Sequence, residues 1–124
     1  MASPNLAIVD LGSNSDQPEV PVNAAVKKLD ESENDSITFT ITGTTTPTSA
    51  EATENFMYIL DGTPGAGFDF TVPNAKRKFA VQNDTGQTAT IKAGGGGLSV
   101  TLATGLVQQF WTDGSDVKAL AAAV

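Results

Sequence analysis

Short segments in which apolar and polar residues alternate fill residues 67–117. Turn-forming residues separate these segments: Pro-Asn at 73–74, Asn-Asp-Thr-Gly at 83–86, four glycines at 94–97 and Thr-Asp-Gly-Ser-Asp at 112–116. Alternation with a period of two is typical of strands that bury one face, and turns at short intervals predict a sheet of short strands. The residues that this pattern places on the core face are Phe68, Phe70, Val72, Phe79, Val81, Ala89, Ile91, Leu98, Val100 and Leu102.

Two segments upstream also have the pattern of strands. Residues 36–42 (SITFTIT) alternate three apolar residues on one face with serine and threonines on the other. Residues 55–61 (NFMYILD) are apolar on both faces, which is typical of a central strand or of a strand that another subunit covers. The small polar residues at 43–54 predict an exposed loop.

The strands together predict an all-β fold. We expect an antiparallel β-sandwich or jelly-roll-like unit of about eight strands with one short N-terminal helix. The glycines at 94–97 predict a flexible hairpin tip and not a phosphate-binding loop, because no lysine follows at the required spacing. The chain then divides into an N-terminal arm with a short helix, residues 1–35, which serves attachment, and a β-sandwich domain, residues 36–124.

The front end of the chain contains the one predicted helix. Asn23 is a good N-cap, and Ala25, Val26 and Leu29 follow it at helical spacing, which predicts about two turns. The run DESENDS that follows, residues 30–36, lacks the spacing of an EF-hand loop and predicts a solvated acidic turn. The first 22 residues are compatible either with an edge strand and a loop or with an extended arm that orders against a neighbour.

Charge and residue usage narrow the possible functions. Fourteen acidic residues oppose seven basic ones, for a net charge of −7, and ten of the acids fall in residues 1–61. This balance disfavours binding to nucleic acid or to an anionic membrane. The chain has no cysteine and no histidine. We therefore expect no metal, no cofactor and no enzymatic activity, since the usual metal ligands, nucleophile–base pairs and general base are missing.

A few residues remain as candidates for chemistry or binding. Lys76, Arg77 and Lys78 form the one basic cluster, for which a solvated turn or contact with an acidic neighbour is the favoured interpretation. Asp113 and Asp116 flank a glycine and are compatible with a carboxylate pair, although such residues are ordinary in hairpins. The two large amphipathic aromatic residues, Tyr58 and Trp111, are candidate ligand contacts, with burial in the core or in an interface as the simpler alternative.

Two sets of residues have counterparts in a known family. The first set is Asn5, Leu6, Gln17, Pro18, Glu19, Val20, Asn23, Ala24, Ala25, Leu29 and Asp30. With it, the front of the chain resembles the N-terminal signature of fibre-type proteins from tailed phages and prophages. The second set is Phe70-Thr71-Val72-Pro73, Phe79-Ala80-Val81-Gln82-Asn83, Thr85-Gly86, Thr90-Ile91-Lys92, Gly105, Asp113-Gly114 and Val117. With it, residues 70–117 are similar to a β module that recurs in phage tail-fibre, head-fibre and other virion proteins.

The resemblance implies a structural protein of the virion, made in the host cytoplasm. It would be a capsid decoration, head spike or short fibre, assembled as a homotrimer with other capsid or tail proteins as partners, and without membrane insertion. The residues expected to attach it to the particle are Leu6, Ile8, Val20, Val22, Val26 and Leu29. The alternative is an adhesion module of the tail-fibre type that binds a host-surface glycan or receptor through Tyr58 and Trp111. A small hydrolase that uses its aspartates is the third possibility.

Overall fold

The computed structural model describes Asn5, residues 19–120 and residues 122–123, with backbone alone for residues 19–22. These residues form eight strands and two helices. The helices are α1 (Glu19–Asn34) and α2 (Ser49–Thr53). The strands are β1 (Ser36–Thr40), β2 (Met57–Asp61), β3 (Phe68–Val72), β4 (Arg77–Asn83), β5 (Ala89–Ala93), β6 (Val100–Leu102), β7 (Val107–Thr112) and β8 (Val117–Ala119). The expectation of a mostly β chain of about eight strands is confirmed.

The strands form two open mixed sheets, one of five strands in the order β1-β2-β4-β7-β8 and one of three in the order β3-β5-β6. The predicted all-antiparallel pairing is wrong, because β1 and β2, β2 and β4, and β3 and β5 pair in parallel. From β2 to β5 the chain alternates between the two sheets, so consecutive strands are not neighbours. The pairs β2/β4 and β3/β5 are thereby joined through a strand of the other sheet, and β1/β2 through residues 41–56, which contain α2, so each parallel pair has the long crossover that parallel pairing requires. A jelly roll is antiparallel throughout, so these pairs do not fit one.

The core joins one face of each sheet. Five aromatic rings lie at its centre and contact one another with ring centroids 5.4 to 6.2 Å apart. They belong to Phe39, Tyr58, Phe70, Phe79 and Phe110, of which only Phe70 is on the three-stranded sheet. The predicted core residues are buried or pack against the core, with one exception. Leu98 is 67% exposed, because it precedes β6 and does not share that strand's alternation.

Both helices differ from the sequence-based expectation. Helix α1 begins four residues before Asn23 and continues through most of the acidic run, to Asn34. Pro21 is compatible with this start, since the first turn of a helix needs no backbone N–H donor. Helix α2 lies in the segment predicted as a loop. There the Thr48 side chain accepts from the Glu51 N–H, and the Glu51 carboxylate accepts from the Thr48 N–H, which forms a capping box.

Candidate functional site

The outward surface of the five-stranded sheet is the strongest candidate site in the described part of the chain. Because side chains alternate along a strand, the residues between the core-facing ones share the opposite face. We call this face the outer surface. It consists of Ser36, Thr38 and Thr40 on β1, which are polar, and on the other four strands of Met57, Ile59, Asp61, Lys78, Ala80, Gln82, Val107, Gln109, Trp111 and Lys118. Its centre is apolar, and Met57, Ile59 and Val107 are only half-buried.

The corresponding face of the three-stranded sheet is polar. Its residues are Asp69, Thr71, Thr90, Lys92 and Thr101. The Lys92 ammonium lies 2.9 Å from the Asp69 carboxylate, and both side chains are well exposed, at 44% and 39%. This face is well suited to water, whereas contiguous apolar surface that stays partly exposed often marks a contact site. The two sheets therefore differ in what their outward faces are suited to contact.

Trp111 lies on the outer surface and Tyr58 does not. Trp111 is half-buried on β7, between Lys78 of β4 and Lys118 of β8 in the register. Tyr58 is fully buried among the core aromatics. Its hydroxyl donates to the Ala52 carbonyl at 2.7 Å. The prediction that Tyr58 contacts a ligand is therefore corrected, because the alternation along β2 directs Tyr58 into the core together with Leu60.

Arg77 connects the Tyr58 hydroxyl to helix α1. Its guanidinium donates to the carbonyls of Ser32, at 3.1 Å, and Asn55, at 2.5 Å. Burial raises the pKa of the Tyr58 hydroxyl above its ordinary value of 10.0, and the charge and hydrogen bond of Arg77 oppose that rise. The buried Arg77 Nε has no acceptor among the described residues. Arg77 thus fixes the end of α1 against β4, which the sequence pattern did not reveal.

The basic cluster lines a cavity beside the outer surface. The cavity has a volume of about 390 Å³ and is lined by Ser32, Glu33, Phe56, Lys76, Arg77, Lys78 and Gln109. Lys76 and Lys78 are exposed at its rim, whereas Arg77 is held inside by two carbonyls. The three basic residues therefore divide into one structural residue and two that extend the outer surface with positive charge.

The predicted attachment residues are only partly described. Leu6 and Ile8 lie outside the described residues, and Val20 and Val22 are placed in helix α1 without their side chains. The described remainder comprises Val26, half-buried, and Leu29, 62% exposed. Val26 and Leu29 therefore do not belong to the described core cluster. Leu29 remains available for contact with another surface.

Among the described side chains of α1, Asp30 is the buried one, although the sequence predicts it in a solvated turn. It is 1% exposed. Its carboxylate accepts from the backbone N–H of Asn5 at 2.9 Å and from the side-chain amide of Asn34 at 3.0 Å. The Asn5 amide also donates to the Asp35 carboxylate. Hydrogen bonding compensates a buried carboxylate, so Asp30 holds the chain at Asn5 against the end of the helix.

Asp113 and Asp116 serve the backbone of the last hairpin. One oxygen of Asp113 accepts from the N–H groups of Asp116, at 2.8 Å, and Ser115, at 2.9 Å. These bonds hold the pKa of Asp113 below its usual value of 3.8. Asp116 accepts from the Leu98 N–H at 2.8 Å. Both carboxylates thus accept from backbone N–H groups, which is the ordinary role of aspartate in a turn.

A buried polar cluster after β4 was missed by the sequence analysis. The Asn83 amide donates to the carbonyls of Gln87, at 2.8 Å, and Leu102, at 3.0 Å. Its oxygen accepts from the backbone and hydroxyl of Thr85. Asn83 thus joins the β4–β5 connection to β6. The Asn-Asp-Thr-Gly pattern predicted a turn here but not its burial.

Comparison of the chain with known proteins identified no similar protein. No family model, curated protein or solved structure matches the chain. Among the described residues, no group of three acidic side chains is arranged to hold a metal ion. No helix in the same residues is long and apolar enough to cross a membrane. The outer surface is therefore the feature on which a functional proposal rests.

Proposed function

We propose that this protein is a non-enzymatic structural component of a tailed-phage-like virion. In this proposal it is a capsid decoration, head spike or short fibre that is attached through its N-terminal segment and displays a β-sandwich. The family resemblance of its front end and of residues 70–117 suggests the class. The resemblance also implies a homotrimer. The observation that supports an assembled state most strongly is the apolar outer surface of the five-stranded sheet.

Burial of the apolar side chains on the outer surface would stabilise an assembled state. Fully burying a large aliphatic side chain stabilises a contact by about 1.5–3 kcal/mol, and a half-buried one retains part of that. Met57 and Ile59 on β2 and Val107 on β7 lie on either side of β4 and retain such exposure, with Trp111 at one end. Association through this surface would recover energy that the isolated chain leaves unused. The exposed Leu29 on α1 offers a second contact, on the segment proposed for attachment.

Co-sedimentation with particles tests the proposal. Purified full-length protein is mixed with particles of the tailed phage or prophage whose genome encodes it, and the pellet is compared with that of a chain lacking residues 1–22. We expect the full chain to sediment with the particles and the truncated chain to remain in solution. Circular dichroism should show that both retain the β fold. A full chain that never sediments with particles would contradict the proposal.

Trp111 supports the second candidate, a glycan-binding module. Its ring is half-buried on the outer surface, and aromatic rings with one exposed face are suited to sugars. Tyr58 contributes nothing to this alternative, because it is buried. If a monomeric protein binds polysaccharide, and Trp111→Ala abolishes that binding without changing the fold, the glycan function replaces the virion function.

A further inference from the structure

The charges on the outer surface are separated by sign. Lys78 and Lys118 flank Trp111 at one end of the strands. Asp61, the last residue of β2, and Asp84, directly after β4, lie at the other end, and both are exposed. The Gln82 amide donates to the Asp84 carboxylate at 2.7 Å, which places Asp84 on the same surface.

The apolar centre lies between these two ends. In the register, Met57 is opposite Ala80, Ile59 is opposite Gln82, and Gln82 is opposite Val107. Ala80 is 4% exposed, so the middle of the surface is low and is bordered by larger side chains. A surface with a basic end, an apolar centre and an acidic end is complementary to itself when it is turned end over end.

We infer that two copies of the chain pair through their outer surfaces, with the strands of one copy running opposite to those of the other. The two-fold axis crosses β4 between Ala80 and Gln82, because β4 is the central strand of the five. Lys78 of each copy then lies opposite Asp84 of the other. The inference rests on the proposed function in one respect, that the outer surface is covered by a subunit.

The same charges argue against a three-fold ring through this surface. When strands run along a three-fold axis, every copy presents the same residue at the same height. Lys78 would then face two other lysines, and Asp84 two other aspartates, which is a repulsive arrangement. The two-fold pair converts both repulsions into attractions. Here the charge placement favours a different assembly from the homotrimer that the family resemblance implies.

The size of the surface sets the expected strength of the pair. Five strands spaced by about 4.8 Å and on average about 17 Å long cover roughly 400 Å² in plan, about half of what each partner contributes to a standard stable interface. We therefore expect a reversible, concentration-dependent dimer. In a contact of this size, charge pairs at the rim contribute a measurable share of the binding free energy.

Complementary charge reversals test the inference. Sedimentation equilibrium is measured for the wild type, for Lys78→Glu, for Asp84→Lys and for an equimolar mixture of the two variants. Each variant alone places like charges opposite each other twice, so its dissociation constant should rise by about tenfold or more. The mixture should dimerise like the wild type, because the mixed pair restores both attractions. Lys92→Glu, the same reversal on the other sheet, should leave association unchanged.

The alternative outcomes are distinguishable. A wild-type trimer, or a mixture that associates no better than the separate variants, overturns the two-fold pair and leaves the virion proposal standing. A wild type that stays monomeric at all concentrations overturns the pair, and failure to sediment with particles then removes the proposed function separately. Thermal unfolding of each variant shows whether the fold is retained.

Discussion

The close contact between the glycine run and the last hairpin predicts a large effect of one added methyl group. A Cβ on Gly95 would lie 2.7 Å from the Gly114 oxygen, 2.7 Å from the Ser115 Cα and 2.8 Å from its Cβ. Carbon atoms in contact are normally about 3.5–4.0 Å apart, so the two segments would have to separate by nearly 1 Å. Overpacking of this kind costs about 1–3 kcal/mol.

The separation would also weaken two backbone hydrogen bonds. Gly95 N donates to Gly114 O at 2.8 Å and Gly97 N to Ser115 O at 2.9 Å, and each such bond contributes about 1 kcal/mol. Together these terms predict that Gly95→Ala lowers the free energy of unfolding by about 2–4 kcal/mol. For a domain of this size that corresponds to a fall in Tm of about 10 °C.

Thermal unfolding followed by circular dichroism measures the effect, with Gly86→Ala as the matched control. A Cβ on Gly86 would meet nothing within 4 Å, and its φ is not positive. Alanine there should leave stability unchanged or raise it by about 0.4–1 kcal/mol, because it restricts the unfolded chain. Equal Tm values for the two variants would refute the reasoning, since the glycine run would then be a free hairpin tip.

Three further results follow from buried and exposed polar groups. Tyr58 is the one tyrosine of the chain. The phenolate absorbance of the folded protein should titrate with a midpoint above pH 10.0, and the unfolded chain is the control. The stability that the neutral hydroxyl contributes is present below pH 10.0 and is lost as the pH rises through the folded-state pKa. A midpoint at or below 10.0 would show that the hydroxyl is exposed. Asn83→Ala leaves buried carbonyls without donors and should cost about 3 kcal/mol by urea unfolding; a loss under about 1 kcal/mol would contradict the buried cluster. Lys92→Met removes an exposed ion pair and should change stability by less than about 1 kcal/mol in the same assay, so a larger loss would contradict the solvated description of that face.

The strands were predictable because alternation is a local property of the sequence. Phe70, Phe79 and Ile91 are fully buried, as their spacing predicted. Their pairing was not predictable in the same way. Residues 62–67 and 73–76 are short turns that suit a hairpin within one sheet, yet both lead from one sheet to the other. A short turn fixes the reversal of the chain and does not determine which sheet receives the next strand.

The helices show both a usable signal and a misleading one. The sequence Thr48-Ser49-Ala50-Glu51 has the spacing of a capping box and would have indicated helix α2. In α1, the apolar spacing of Val26 and Leu29 did not indicate that Asp30 would be buried. Asp30 is buried because Asn5 and Asn34 supply its hydrogen bonds. A long-range partner such as Asn5 cannot be inferred from helical periodicity.

Only part of the candidate site could be predicted from the sequence. The apolar character of residues 55–61 on both faces fits the position of β2 between β1 and β4, and it left open which face of the strand lies outward. Tyr58 and Ile59 are neighbours, and only the register with β4 shows that Ile59 faces outward. The sign separation between Lys78 and Asp84 depends on the same register and on the position of β4 in the sheet.

The central proposal is that a second subunit covers the outer surface. The solution masses of two variants, compared with that of the wild type, test this proposal most directly. Sedimentation velocity is compared for the wild type, for Ile59→Lys on the outer surface and for Thr90→Lys on the polar face of the other sheet. We predict that the wild type and Thr90→Lys associate as the concentration rises, whereas Ile59→Lys remains a monomer with an unchanged circular dichroism spectrum. A wild type that is monomeric throughout, or an Ile59→Lys variant that associates equally well, would contradict the account.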